Sequence, residues 1–107
     1  MPVNHNQRTI KLLKTIGYSQ ALVVERYCSF SRRKHDLFGI FDVLAIKENC
    51  TCGVQITSRS NMSARVKKIK GSEYYSDILK AGWEILVIGW DKPTHRYRHK
   101  IINLNEE

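Results

Sequence analysis

The sequence has no long apolar run and only three cysteines, and each scarcity excludes a class of protein. Its apolar runs are too short to cross a membrane, and no apolar signal segment follows the polar residues 1–5. An odd number of cysteines argues against a disulfide framework. A zinc site is also disfavoured, since Cys50 and Cys52 are one close pair while Cys28 and His35 lie far along the chain. We therefore expect a cytoplasmic protein without a membrane segment, whose thiols are buried or line turns.

Acidic side chains are scarce relative to basic ones, 10 against 18, which gives a net charge of +8. The length of 107 residues, without a repeat, low-complexity tract or linker, predicts one domain over residues 1–107. The charge favours a polyanionic partner, because each Lys or Arg that meets a phosphate releases condensed counterion. We expect DNA as the partner, and the alternative is a basic surface that only keeps the protein soluble.

Hydrophobic spacing predicts elements in the order α-β-β-β-α-β-β. Helices are predicted over 6–16 and from Met62, which Ser60 or Asn61 can cap, with a short helical segment over 72–80. A helix between the third and fourth strands indicates a right-handed parallel crossover. The predicted fold class is therefore α/β, with a mixed central sheet of about five strands flanked by helices. The predicted strands are 21–27, 40–46, 52–57, 83–90 and 97–104, with a loop over 29–35.

Asp42 is unusual because it lies in a predicted strand that is otherwise apolar. A buried carboxylate is costly unless it is paired, hydrogen-bonded or bound to a metal. Asp42 is therefore either a metal ligand or a residue that caps nearby backbone. The predicted hairpin brings Gln55 close to Asp42, and strand alternation puts Gln55 and Thr57 on one face.

Two stretches of this hairpin, 41–46 (FDVLAI) and 54–59 (VQITSR), resemble the motif of the PD-(D/E)xK nuclease superfamily. The order of elements over about residues 6–104 is similar to that of the archaeal Holliday junction resolvase branch. The resemblance implies a restriction-endonuclease-like core. It also implies a metal-dependent DNA endonuclease that acts on branched intermediates of recombination or repair, and a homodimer if the substrate is a four-way junction.

The resemblance further implies that Asp42 and Gln55 hold Mg²⁺ or Mn²⁺, which would activate a water and neutralise the scissile phosphate. Related nucleases often have another acid near the first strand, and Glu25 is the best candidate for it. The alternative is that Glu25 is an exposed residue paired with Arg26 or Arg33. Asp36 is a weaker candidate for the same role.

Two positions depart from the superfamily pattern. Gln55 stands where most members have a carboxylate, although an amide oxygen can also bind a hard cation. Thr57 stands where the motif Lys orients water and stabilises negative charge. Arg65 in the following helix is the first candidate to replace that Lys, and the alternatives are Arg59, Lys67 and Lys68. If none of them reaches the site, the resemblance implies a nucleic-acid-binding module with weakened catalysis.

Basic residues on both sides of the motif are expected to contact phosphates. The run from His95 to Lys100 either adds contacts or guards the edge of a strand with charge. We interpret Trp83, Trp90 and Tyr97 as core or sheet-face residues. The residues predicted to bind nucleic acid are Arg32, Arg33, Lys34, Arg59, Arg65, Lys67 and Lys68.

Overall fold

Residues 5–28, 30 and 33–106 are described by the structure, which is a computed structural model. These residues form three α-helices, seven β-strands and short 3-10 turns at Arg59–Asn61 and Leu104–Glu106. None of the described helices has the length and apolar character that a membrane crossing requires. The helices are α1 (His5–Thr15), α2 (Met62–Lys70) and α3 (Tyr75–Lys80), and the strands are β1 (Gln20–Val23), β2 (Arg26–Cys28), β3 (Arg33–His35), β4 (Val43–Lys47), β5 (Cys50–Ser58), β6 (Glu84–Asp91) and β7 (Arg98–Asn103).

Five strands form a mixed sheet in the order β1-β4-β5-β6-β7. Strands β4 and β5 make the predicted antiparallel hairpin, with Val43 opposite Val54. Strand β6 returns parallel to β5 after α2 and α3, as the helical segment between two apolar strands predicts. The α/β class and the five-stranded mixed sheet flanked by helices are therefore confirmed.

The two faces of the sheet carry separate apolar clusters, because side chains alternate along each strand. Helix α1 packs on one face through Leu13, which is fully buried. Helices α2 and α3 pack on the other face, where Met62 and Ile69 form the buried side of α2 as its spacing predicts. A buried hydrogen bond from Trp90 Nε1 to Thr9 Oγ1, 2.9 Å long, also ties α1 to the sheet.

The segment between β1 and β4 differs from the prediction. The predicted strand over 21–27 ends at Val23, and a new strand begins at Arg26. Strands β2 and β3 then pair with each other in a separate two-stranded sheet, so the predicted loop over 29–35 contains a strand. Alternation of apolar and polar residues cannot reveal this change of partner, since both strands are short and rich in polar residues.

Asp42 lies immediately before β4, which corrects its predicted position inside a strand. Residues 37–41 form a turn closed by a bridge between Leu37 and Phe41, and its tip contains Phe38 with a φ of 55°. A positive φ is costly for a phenylalanine, so packing must hold the turn. The Phe38 ring packs on Tyr74 and Trp83, with centroids 5.4 and 5.9 Å away.

The Phe41 ring lies directly over Gly53, and a Cβ at Gly53 would approach that ring to 2.6 Å. Because both residues are buried, the Gly53→Ala variant is expected to lose about 1–3 kcal/mol of unfolding free energy through overpacking. Urea denaturation of the two single variants and of Gly53→Ala with Phe41→Leu checks this. The double variant should lose less than the sum of the singles, since the smaller Leu makes room. Strict additivity would contradict the contact.

Candidate metal centre

Asp42 is held at the end of the β4–β5 hairpin by hydrogen bonds to a single carboxylate oxygen. Its Oδ2 accepts from the backbone N–H of Ile56 at 2.8 Å and from Nε2 of Gln55 at 2.9 Å. Asp42 is only 8% exposed. The predicted proximity of Asp42 and Gln55 is therefore confirmed, and the side chain of Asp36 also forms a hydrogen bond with the Asp42 carboxyl group.

Three carboxylates meet at this point of the fold. Glu25 follows the end of β1, Asp36 follows β3 and Asp42 precedes β4. Each offers an oxygen, and the three oxygens lie within 4.8 Å of one another. The structure thus brings both Glu25 and Asp36 close to Asp42. It does not favour Glu25 over Asp36 as the additional acid, although the sequence made Asp36 the weaker candidate. An arrangement with three acidic oxygens at this spacing suits a hard divalent cation.

Burial raises the pKa of Asp42 to about 7. The hydrogen bond from the Ile56 N–H lowers this pKa, while the hydrogen bond and charge of Asp36 and the charge of Glu25 raise it. Crowded carboxylates repel one another, so a proton or a metal cation bound among them is stabilising.

Gln55 has a polar atom without a partner. The side chain is 3% exposed, and its Nε2 donates to Asp42 and to the backbone oxygen of Ile56. Its Oε1 is buried and accepts no hydrogen bond from any residue that the structure describes. A buried unsatisfied oxygen costs about 1–3 kcal/mol, and an amide oxygen is also a ligand that hard cations accept. Gln55 thus fits a metal site.

Two acids of the cluster, Glu25 and Asp42, line a cleft of about 500 Å³. Thr57 lines it from β5 and Arg65 reaches it from α2, so two predicted catalytic residues lie at its wall. Arg65 therefore brings a positive charge to the wall of the cleft. The cleft is lined by His5, Asn6, Glu25, Asp42, Ile56, Thr57, Ser58, Asn61 and Arg65.

The other basic candidates lie elsewhere. Arg59 is half-buried and forms an ion pair with Asp91, with Nη1 and Oδ1 3.7 Å apart. Lys67 and Lys68 are exposed on α2, outside the set of residues that lines the cleft. Arg59 thus lies beside the end of β6, and the roles of Arg59 and the two lysines in binding nucleic acid stay predictions.

Three predicted phosphate contacts cannot be placed. Arg32 lies outside the described residues. Arg33 and Lys34 belong to β3, but their side chains also lie outside what the structure describes. Among the cysteines, Cys52 is buried and Cys50 half-buried, in agreement with the prediction of structural thiols, and burial raises the pKa of Cys52 to about 12.

Helix α1 contributes to the site in a way that the sequence reasoning missed. The predicted helix contains no acid, but Asn6 donates from Nδ2 to Oε1 of Glu25 at 2.9 Å and so positions that carboxylate. Asn61 occupies the cap position of α2 without a side-chain cap bond and lines the cleft instead. A polar residue at the start of each helix was the available signal, and only tertiary packing directs both residues to one cleft.

Comparisons of the chain with protein-family models, with curated proteins and with solved structures give no match. The geometry of the cleft and of the acidic cluster is therefore the basis for its proposed function.

The raised pKa of Asp42 predicts how stability depends on pH. Between the ordinary pKa of 3.8 and the folded value of about 7, the folded state binds the proton more tightly. In EDTA, the free energy of unfolding should therefore fall as pH rises from 4 to 8, by roughly 2–4 kcal/mol at about 1.4 kcal/mol per pKa unit. Asp42→Asn keeps an oxygen for the Ile56 and Gln55 bonds but does not ionise. Urea titrations across this range should show less slope for Asp42→Asn and higher stability than the parent at pH 8. An unchanged slope would contradict the assignment.

Proposed function

We propose that the protein is a Mg²⁺- or Mn²⁺-dependent endodeoxyribonuclease with a restriction-endonuclease-like core. The observation that carries this proposal is the meeting of three carboxylates at one point, together with the Gln55 side chain, which is hydrogen-bonded to Asp42 and has an unsatisfied Oε1. In a protein with a net charge of +8, such an acidic cleft is a local exception. A hard cation in the cleft of a basic protein suits phosphodiester chemistry.

The donor set fits a divalent metal because it is all oxygen. Asp42, Glu25 and Asp36 would supply carboxylate oxygens, and Gln55 would supply its amide oxygen without adding a fourth charge. A bound metal supplies Lewis acidity and lowers the pKa of a coordinated water. The low exposure of Asp42 and Gln55 keeps these donors largely out of solvent.

The residues at the cleft wall divide the remaining work. Arg65 would bind the scissile phosphate and stabilise the negative charge that develops on it, in place of the motif Lys. The hydroxyl of Thr57 would donate a hydrogen bond to a phosphate oxygen or to the attacking water. Asn6 would keep Glu25 oriented towards the cluster.

The proposed substrate is DNA, either duplex or branched at a recombination or repair intermediate. The positive net charge supports a phosphate backbone as the partner. The volume of the cleft, about 500 Å³, accommodates a sugar-phosphate segment. A homodimer is proposed for a four-way junction, where two equivalent strands need two symmetric sites.

A second candidate function is a nucleic-acid-binding module with the same fold and weakened catalysis. The observation in its favour is that Gln55 directs its amide N–H at Asp42, while Thr57 replaces the motif Lys. Duplex binding that weakens with salt, without cleavage in Mg²⁺ or Mn²⁺, would favour this module. Cleavage that Asp42→Asn abolishes would exclude it.

Metal binding should stabilise the protein through Asp42. At 100 times its Kd, a ligand of the folded state adds about 2.7 kcal/mol to the unfolding free energy. We expect Mn²⁺ to raise the Tm more at pH 8 than at pH 5. At the lower pH a proton competes with the metal for Asp42, whose pKa is about 7. Thermal melts of the parent, Asp42→Asn and Asp77→Asn check this. Asp77 is an exposed acid on α3, so its variant should respond like the parent. An equal Mn²⁺ response in all three would refute the site.

Cleavage should depend on Asp42 and Arg65. Incubation with branched, duplex and single-stranded DNA in Mn²⁺ should give products with the parent, and Asp42→Asn should reduce the rate to background. Arg65→Ala should slow cleavage by about 10²–10³-fold, as loss of one donor to a developing charge does elsewhere. Lys80→Ala removes the same charge from the exposed end of α3 and should cleave like the parent. If Arg65→Ala and Lys80→Ala cleave equally fast, Arg65 has no catalytic role.

A further inference from the structure

A cluster of cations and aromatic rings lies next to the cleft, where α1 meets the segment between β6 and β7. The guanidinium carbon of Arg8 lies 3.6 Å from the ring centroid of Tyr97, and Nζ of Lys92 lies 4.9 Å from it. Tyr97 itself is 43% exposed, so it is not the core or sheet residue that the sequence suggests. We call Arg8, Lys92 and Tyr97 the α1–β7 cationic surface.

His5 connects this surface to the cleft. It lines the cleft, and its ring stacks on Trp90 with an interplanar angle of 10° and a centroid distance of 6.3 Å. The same ring meets Tyr97 edge-on at 5.9 Å. One side chain is therefore shared, and the cationic surface begins at the wall of the cleft.

The two cations of this surface are not neutralised by the nearby acid. Asp91 is bound by Arg98 through two hydrogen bonds of 2.8 and 3.0 Å, and by Arg59 at 3.7 Å. In the part of the chain that the structure describes, neither Arg8 nor Lys92 forms an ion pair with an acid. Nη1 of Arg8 lies at hydrogen-bond distance, 3.2 Å, from Nδ1 of His5, and the charges of Arg8 and Lys92 are available to an external anion.

The packing around Tyr97 indicates what kind of anion fits. Arg8 lies against the face of the ring at 3.6 Å, so it occupies the surface on which a nucleobase would stack. A guanidinium held on an aromatic ring keeps its N–H donors at the rim and has less freedom to lose when it binds. Such a surface suits a phosphate and gives no direct reading of base identity.

We propose that the α1–β7 cationic surface binds the phosphate backbone of the DNA that leaves the cleft, independently of base sequence. This inference rests on the proposed nuclease function, since it takes the cleft to hold the scissile phosphate. It names a duplex arm beside that phosphate as part of the substrate. The competing explanation is that Arg8 packs on Tyr97 only to hold the loop after β6 against α1.

The test is the salt dependence of duplex binding in EDTA, where no metal-dependent cleavage occurs. Each phosphate contact contributes about 0.9 to the slope of log K against log salt concentration. The variant Arg8→Gln with Lys92→Gln keeps most of the aliphatic packing and should reduce the slope by about two.

The matched control is Lys47→Gln with Lys80→Gln, which removes equal charge near the opposite end of the sheet. There Lys47 lies beside Cys50, and Lys80 precedes β6. The control should keep the parent slope. The loss should be equal on two duplexes of unrelated sequence.

The outcomes separate this inference from the nuclease proposal. Equal slopes in both double variants, or a loss confined to one duplex sequence, would overturn the surface even if the parent cleaves DNA through Asp42. The expected slope change without any metal-dependent cleavage would support DNA binding by this surface and contradict the nuclease proposal. A parent that does not bind duplex DNA at low salt would overturn both. If the first double variant fails to fold, Lys92→Gln alone, on an exposed loop, should reduce the slope by about one.

Discussion

The crowding of carboxylates around Asp42 is the constraint on which the rest of the site depends. Two connecting segments meet at one point of the fold: Glu25 comes from the segment between β1 and β2, and Asp36 and Asp42 come from the segment between β3 and β4. Two hydrogen bonds to one oxygen stabilise the charged form of Asp42. Burial and the neighbouring acids oppose this effect and raise the pKa of Asp42 to about 7. Without a cation, the crowded carboxylates favour a bound proton. With a cation, the same oxygens would serve as its ligands. Proton and metal are thus alternative ways to satisfy the same geometry.

The amide at position 55 follows from that crowding. A glutamate there would place a fourth carboxylate against Asp42, in a pocket where Gln55 is 3% exposed. Asp36 already supplies a third acid from the other side of the turn that precedes Asp42. The cluster therefore keeps an oxygen at position 55 while it limits the negative charge. Asp36 thus brings a third negative charge to the cluster, where Gln55 brings none.

Much of this arrangement could be predicted from local pattern, and the rest required tertiary structure. The hairpin that joins Asp42 to Gln55 follows from strand alternation, and Glu25 follows from the end of an apolar run. Asp36 was ranked below Glu25, because its place depends on the pairing of β2 with β3. Arg65 needed only the helical phase of α2 to become a candidate. Arg8 and Tyr97, which are 89 residues apart (97 − 8), meet only when α1 packs beside the end of β6.

The turn over residues 37–41 couples the site to a distant helix. It joins Asp36 to Asp42, and its tip, Phe38, is held in a costly conformation by contacts with Tyr74 and Trp83 at the two ends of the α3 segment. Thermodynamic linkage is reciprocal: a ligand that orders the two acids and thereby tightens the packing of Phe38 is bound more tightly, by the same free energy, when Phe38 is well packed. Amide hydrogens in α3 would then exchange more slowly when the cluster is occupied. Conversely, a small planar molecule that binds under Phe38 and loosens its packing would lower the affinity of the two acids for a cation, without contacting that cation.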